Sequence, residues 1–138
     1  MPNLLTQLKR HEGLRLRPYR DTVGKLTIGF GRNLEDRGIT EDEAKILLVN
    51  DVCRLRGELS EIDWWRALND VRRDVIVNMA YNLGVSGVLG FERMIAALRA
   101  KDYELAAIEM LDSKWADQVG RRAVELSDQM HTGRRRPA

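Results

Sequence analysis

The chain has 138 residues, of which 43% are hydrophobic and 32% are charged, and it contains a single cysteine. This is the composition of one globular domain, and it argues against a disordered chain, a disulfide-stapled scaffold and a membrane-spanning protein. The N-terminus lacks the apolar region of a signal peptide, so we expect none. The net charge of +2 suits approach to a polyanion, but it does not separate a bacterial envelope from a nucleic acid.

The first element predicted is a helix over residues 3–11. Three leucines recur there at helical spacing behind Asn3, a candidate N-cap. Gly13 is predicted to end the helix, because glycine readily adopts the left-handed conformation of a helix C-terminus. Glu12 would therefore lie at the end of this helix.

A small antiparallel hairpin is predicted over residues 14–34. Apolar and polar residues alternate there on either side of a turn at residues 22–24. Successive side chains of a strand point to opposite faces, so Thr27 is expected on the face away from the apolar side chains of its strand. Those apolar side chains are Leu26, Ile28 and Phe30.

Every element after residue 40 is predicted to be helical. Thr40 and Glu43 have the spacing of a capping box, which opens a helix that we expect to end at Gly57. A second long helix is predicted from Asn69 to Leu83, with Gly84 as its stop. The positions expected to face the core on these two helices are Ala44, Leu47, Leu48, Val52, Leu55, Val71, Val75, Met79 and Leu83. Shorter helices are predicted near 91–100, 102–112 and 120–130.

Chemistry is most plausible around the predicted hairpin. Glu12 lies beside its apolar face, where lost hydration would raise the carboxyl pKa toward that of a general acid. Asp21 follows in the turn, among polar groups that would keep it ionised, and Thr27 returns opposite with a hydroxyl that can hold water. Two carboxyls in unlike environments form the acid and base pair of glycoside hydrolysis.

The pattern by itself favours a plainer interpretation. With 21 acidic residues, chance produces about three such pairs at any one spacing. Glu12 is then a surface acid at a helix end, and Asp21 is an ordinary turn residue.

A resemblance to a known family changes this balance. Residues 12–31 resemble the active-site segment of the T-even bacteriophage lysozyme family, whose pattern is E-G-(three residues)-K-x-Y-x-D-(five residues)-T-I-G-x-G. The spacing of the two acids and the threonine matches Glu12, Asp21 and Thr27. Further matches extend the resemblance over roughly residues 4–133.

The resemblance implies a fold and a reaction. The fold would be α+β and mostly α, lysozyme-like, with a small β-hairpin lobe and a helical lobe flanking a cleft. Glu12 would protonate the glycosidic oxygen between N-acetylmuramic acid and N-acetylglucosamine, Asp21 would activate water, and Thr27 would help to place that water. The family is described as inverting, which requires the carboxyls to lie about 6.5–9.5 Å apart.

One phage-type lysozyme domain is expected over residues 1–138. Its parts would be a catalytic hairpin lobe with the first helix (1–40), a connecting helix (41–57), a helical lobe (58–133) and a basic tail (134–138). The T-even sequences carry roughly twenty more residues between the hairpin and the connecting helix, so we expect a strand of the small lobe to be missing.

Substrate-binding residues are also implied by the resemblance. Tyr81 and Asn82 match cleft-lining positions, with a core aromatic and a helix-end amide as the alternative interpretation. Arg122 matches an arginine that lies against the catalytic glutamate. Several family contacts are replaced, because Asn33, Met94 and Glu109 stand where Leu, Ser and Asn are usual.

Other residues are interpreted as structural. Arg32 replaces a family histidine, and we predict that it pairs with Asp51, which matches the acidic partner of that histidine. Trp64, Trp65 and Trp115 are predicted to be core residues, with stacking on sugars as the alternative for Trp64 and Trp65. Cys53 is predicted to be a small packing residue. Arg134–Arg136 are predicted to form a solvated terminus, with binding to anionic wall polymers as the alternative.

The expected partner is bacterial peptidoglycan, and the protein is expected to be a monomer. No cofactor, metal ion or nucleic acid is expected to bind. The protein would be a phage or prophage endolysin that accumulates in the host cytoplasm before lysis and then acts on the cell wall in the periplasm. A separate holin-type membrane protein would give it access. The lysozyme could instead be part of a virion or a secretion machine. Two alternatives of another class remain. One is a catalytically inactive peptidoglycan-binding module on the same fold, and the other is a small basic DNA-binding protein, which would leave the Gly-rich hairpin without a purpose.

Overall fold

A computed structural model describes residues 2–135, and the chain divides into two compact units with the boundary between Leu47 and Leu48. The first unit contains α1 (Pro2–Glu12), β1 (Arg15–Arg20), β2 (Leu26–Gly29), β3 (Arg32–Asn33), α2 (Leu34–Arg37) and the beginning of α3 (Glu41–Leu59). The second contains the rest of α3, α4 (Asp63–Arg66), α5 (Asp70–Leu89), α6 (Glu92–Arg99), α7 (Tyr103–Leu111), α8 (Lys114–Val119) and α9 (Arg121–Thr132). The expected α+β class, mostly α, is confirmed.

The first helix ends where the sequence predicted and begins earlier. Gly13 follows α1 with a φ of +71°, and its amide donates to the Lys9 carbonyl at 3.0 Å. Asn3 lies inside the helix, so its prediction as the N-cap is wrong. The helix begins at Pro2 because proline has no amide hydrogen and its fixed φ suits a first helical turn.

The sheet of the first unit has the order β1-β2-β3, with both strand pairs antiparallel. Thr27 pairs with Tyr19 on one side and with Asn33 on the other, so it lies in the central strand. Among residues 3–47 it alone is buried, with 3% of its surface exposed, whereas Phe30 is 44% exposed. The prediction of an outward-facing Thr27 opposite a buried apolar face is therefore wrong.

The capping box at the start of α3 is confirmed. The Thr40 amide donates to Glu43 Oε1 at 2.8 Å, and the Glu43 amide donates to Thr40 Oγ1 at 3.1 Å. The helix continues past Gly57 to Leu59. Only its C-terminal part packs against a core, so Leu55 and Leu59 are buried, whereas three positions predicted to face inward are exposed: Ala44, Leu47 and Leu48.

The second unit is built around α5. Asn69 caps this helix, since its side chain accepts a hydrogen bond from the Arg72 amide. Gly84 interrupts the helix as predicted, with φ 75° and ψ 161°, but helical structure resumes and continues to Leu89. The core around α5 includes the predicted Val75 and Met79, together with Trp64, Trp65 and Trp115.

Cys53 was predicted to be a packing residue and is exposed, so that prediction is wrong. Helices α2, α4 and α8 have four to six residues, which is too short for a helical period to be detected in the sequence. Among residues 2–135 no single helix is both long and apolar enough to cross a membrane. Helices α5 and α6 together have the length and apolar composition of a membrane span, but they are bent by 91° relative to each other.

Candidate active site

Asp21 is held by the turn between β1 and β2. Its Oδ1 accepts hydrogen bonds from the amides of Val23 at 3.0 Å and Lys25 at 2.8 Å. The Asp21 amide donates to the Lys25 carbonyl at 2.9 Å. Within the described part of the chain, Oδ2 has no hydrogen-bond partner. One carboxylate oxygen is therefore fixed by the backbone, and the other is available to a ligand or to water.

Thr27 is tied to the same backbone group as Asp21. Its hydroxyl lies 2.8 Å from the Lys25 carbonyl oxygen. A carbonyl oxygen can only accept, so the hydroxyl donates its one proton there, and toward any further ligand Thr27 Oγ1 is an acceptor. The main chain of Lys25 thus fixes both the carboxylate of Asp21 and the hydroxyl of Thr27.

Glu12 lies at the end of α1, with its side chain against Gly31. A Cβ placed on Gly31 would lie 2.9 Å from Glu12 Oε2, and the φ of Gly31 is +83°. The absence of a side chain at this position allows the carboxylate to lie against the backbone. Glu12 is exposed, so the expectation that burial beside the hairpin removes its hydration is wrong.

Helix α2 lies beside the turn and brings two carboxylates to it. Lys25 Nζ lies 3.2 Å from Asp36 Oδ1 and 3.6 Å from Glu35 Oε2. The hydrogen bond and charge of Asp36, followed by the charge of Glu35, raise the pKa of the Lys25 ammonium. The pKa of Asp36 is lowered, first by the hydrogen bond from Lys25 and then by that from Asn33.

Arg32 forms an ion pair inside the first unit. Its two terminal nitrogens bind the two carboxylate oxygens of Glu43, each at 2.8 Å. This hydrogen bonding, with that from the Thr40 amide, lowers the pKa of Glu43 to about 2. The structure therefore gives Arg32 a partner other than the predicted Asp51. Glu43 fits because a bidentate carboxylate satisfies the planar guanidinium fork.

Asn33 caps α2. Its Oδ1 accepts from the Asp36 amide at 3.0 Å, and its Nδ2 donates to Asp36 Oδ2 at 3.0 Å. Both ends of the amide thus have a partner in the protein. A role for Asn33 in holding a ligand would require it to share these bonds.

The other three residues predicted to bind substrate belong to the second unit. Tyr81 is 48% exposed and lines a depression together with Asn78 and Arg122. Arg122 donates from Nε and Nη2 to Asn78 Oδ1, at 2.9 and 2.7 Å. Asn82 Oδ1 accepts from the indole nitrogen of Trp115 at 2.8 Å, so this amide also serves the packing of a core tryptophan.

The basic tail is partly ordered by an ion pair. Arg135 binds Asp74 on α5, and the same carboxylate binds Arg56 of α3. Arg135 is exposed, as the prediction of a solvated terminus requires, but this ion pair holds its side chain. Arg136 lies outside the described residues.

Three positioning features were missed from the sequence. The backbone role of Lys25 leaves no trace in side-chain chemistry, and α2 is too short to be recognised by its period. The close approach of Gly31 to Glu12 had a signal, since this glycine belongs to the T-I-G-x-G pattern.

Comparison with known proteins identifies the family. The phage lysozyme family matches residues 9–136. The endolysin of Salmonella phage P22 is 31% identical over 113 residues, which cover 76% of each chain. Probable T4-type lysozyme 1 of Dictyostelium discoideum is 28% identical over 158 residues, which cover 91% of this chain and 92% of that protein.

A third relative is a much longer protein. The pre-baseplate central spike protein Gp5 of Enterobacteria phage T4 is 29% identical over 160 residues, which cover 95% of this chain and 28% of that protein. The chain thus spans little more than a quarter of this relative. The family match extends over nearly the whole chain, and the chain therefore belongs to the phage lysozyme family.

Proposed function

We propose that this protein is a muramidase that cleaves the β-1,4 bond between N-acetylmuramic acid and N-acetylglucosamine in bacterial peptidoglycan. Membership of the phage lysozyme family supports a glycosidase that acts on peptidoglycan. The assignment of roles, with Glu12 as general acid, Asp21 as base and Thr27 as the group that holds water, is our proposal.

The observation that carries the proposal is the shared attachment of Asp21 and Thr27 to Lys25. Thr27 Oγ1 is oriented to accept a hydrogen bond, and Asp21 Oδ2 is an acceptor with no partner among the described residues. A water between these two oxygens would donate one hydrogen to each and keep a lone pair for attack on the sugar carbon. Such a water is oriented before the reaction begins, which is a main source of catalytic rate.

Glu12 would complete the reaction as the acid. Its proton passes to the glycosidic oxygen as the bond from that oxygen to the sugar carbon breaks, and the proton of the attacking water passes to Asp21. Glu12 is exposed, so in this proposal the bound glycan is the group that shields its carboxyl from water. The proposed outcome is inversion at the sugar carbon, which NMR of the first-formed anomer would test.

Four further residues are proposed to bind the glycan, namely Asn33, Tyr81, Asn82 and Arg122. Tyr81 has the strongest support, because an exposed aromatic ring offers an apolar face to a sugar. The two asparagines have weaker support, since each already bonds to a protein group.

In the cell we propose the role of an endolysin. Two relatives carry that name, and a monomeric lysozyme released at the end of infection would need a holin-type membrane protein to pass from the host cytoplasm to the wall. A place within a larger particle is the alternative, which the spike relative supports. Purified phage particles separate the two, because a virion component should be found in them and a free endolysin should not.

The enzymatic proposal is tested with two site variants and two matched controls. Glu12→Gln and Asp21→Asn should each lower the rate of peptidoglycan digestion by about 10²–10⁴-fold, the usual contribution of a general acid or base. Glu61→Gln and Asp70→Asn remove exposed carboxylates elsewhere and should digest at the wild-type rate. The assays are turbidity loss of permeabilised Gram-negative cells and mass spectrometry of digested peptidoglycan.

The products distinguish the remaining alternatives. Reducing-end muramic acid supports a muramidase, whereas anhydro-muramic ends would identify a lytic transglycosylase and refute the role of Asp21. The alternative of an inactive module predicts binding to peptidoglycan with no release of fragments, and binding that is indifferent to Glu12→Gln.

A further inference from the structure

We propose that α2 is a positioning element for the candidate active site. Glu35 and Asp36 hold the side chain of Lys25, and the main chain of Lys25 in turn fixes Asp21 and Thr27. This inference rests on the proposed function, and it assigns work to three charged residues that would not themselves touch the glycan.

The first step is the backbone of Lys25. Its amide donates to Asp21 Oδ1 at 2.8 Å, and its carbonyl accepts from the Asp21 amide at 2.9 Å and from the Thr27 hydroxyl at 2.8 Å. A displacement of this one peptide segment would change three hydrogen bonds together. The carboxylate and the hydroxyl would then lose their fixed positions relative to each other.

The second step is the set of contacts that hold the segment. Lys25 Nζ lies within 3.2 Å of Asp36 Oδ1 and 3.6 Å of Glu35 Oε2. Glu35 Oε1 also accepts from the Leu26 amide at 3.4 Å and from Arg20 Nη1 at 3.3 Å. The same Arg20 nitrogen donates to the Gly24 carbonyl at 3.0 Å. The two carboxylates of α2 thus contact both ends of the turn.

The third step is the anchoring of α2 itself. Asn33 belongs to β3, which pairs with the central strand opposite Thr27. Its side chain caps α2 and also donates to the Asp36 carboxylate. Asp36 is therefore held from the sheet on one side while it holds Lys25 on the other.

The small free energies expected of these ion pairs fit a role in positioning the site better than a role in stabilising the fold. The side chains of Lys25, Glu35, Asp36 and Arg20 are 38–67% exposed, and exposed ion pairs contribute little to the stability of a fold. Catalysis is more sensitive, since a misplacement of about 1 Å can cost 10²-fold in rate. The alternative is that these are ordinary surface ion pairs with no bearing on the site.

Three variants test the inference against one control. Lys25→Met removes the ammonium group, the double variant Glu35→Gln/Asp36→Asn removes the two negative charges, and Lys25→Arg keeps the positive charge. The control is Glu41→Gln, which removes an exposed ion pair with Lys45 in the same unit, away from the turn. The measurements are kcat and KM on a soluble peptidoglycan fragment, and hydrogen exchange of the Val23 and Lys25 amides, which donate to Asp21.

The expected result is a selective loss. Lys25→Met and the double variant should lower kcat by roughly three- to tenfold with KM nearly unchanged, and should speed exchange at these two amides. Lys25→Arg should retain most of the wild-type rate. In the wild type, raised salt should speed exchange at the same two amides, because it screens exposed charges.

Other outcomes overturn the inference. Wild-type kcat and exchange in Lys25→Met and the double variant would show that the contacts do not position the site. A uniform rise in exchange across the first unit would show a structural role only. If Asp21→Asn kept full activity, the proposed role of Asp21 as the base would be wrong, whereas an inactive Asp21→Asn beside fully active Lys25→Met would overturn the positioning inference alone.

Discussion

Gly31→Ala should displace the Glu12 carboxylate. Comparison with a second glycine variant then separates this displacement from a general loss of stability. The added methyl group would lie 2.9 Å from Glu12 Oε2, about half an ångström inside ordinary van der Waals contact. The carboxylate is the far end of a flexible side chain, so it should move aside rather than unfold the protein. A shift of that size in the proposed acid should lower kcat about tenfold.

The matched control is Gly29→Ala. Gly29 also has a positive φ, +72°, but a Cβ there meets nothing within 4 Å. Both substitutions force alanine into a left-handed conformation, which costs about 1–2 kcal/mol in the free energy of unfolding. Stability, measured by urea unfolding, should therefore fall by similar amounts in the two variants.

Only activity should distinguish these two variants. Digestion of peptidoglycan, measured at a temperature where both are fully folded, should be slower for Gly31→Ala than for Gly29→Ala. Equal rates for the two would refute the argument that the bare backbone at residue 31 places the Glu12 carboxylate.

Two further predictions concern stability. Arg32 and the Thr40 amide lower the pKa of Glu43 to about 2 from an ordinary 4.5, so this pairing stabilises the fold above pH 4.5, and the contribution is lost as pH falls toward 2. Glu43→Gln should remove that part of the acid dependence of unfolding, and an unchanged dependence would contradict the pairing. Arg72 stacks 3.6 Å from the centroid of the Tyr103 ring and donates to two carbonyl groups of α9. Arg72→Lys should cost about 2 kcal/mol in urea unfolding, and a loss close to zero would refute this.

Local signals in the sequence predicted most of the helices. A capping box, a period of apolar residues and a stop glycine are properties of neighbouring residues, so the starts or ends of α1, α3 and α5 could be located without tertiary information. The elements that were missed, α2, α4, α8 and β3, have two to six residues. Such short elements are stabilised by what they contact and carry no period of their own.

Burial was predicted less well than secondary structure. Alternation placed Thr27 on an outer face, but Thr27 is the buried residue of the central strand, and the other three residues of that strand are only partly buried. The apolar positions at the beginning of α3 have the same period as those at its end, yet only Leu55 and Leu59 pack into a core. Periodicity identifies a face, whereas the neighbours of that face decide whether it is covered.

The sequence alone determined the residue types and spacing of the candidate acid, base and threonine, and with them the family. The tertiary structure decided which groups hold them. Gly31 leaves room for the Glu12 carboxylate, and Lys25 fixes Asp21 and Thr27 through main-chain atoms that every residue type possesses. Contacts made through the backbone depend on where the chain folds, so the side-chain chemistry of Lys25 does not reveal them. The T-I-G-x-G pattern marked Gly31 as a special position, but only the fold shows that Glu12 is the residue that approaches it.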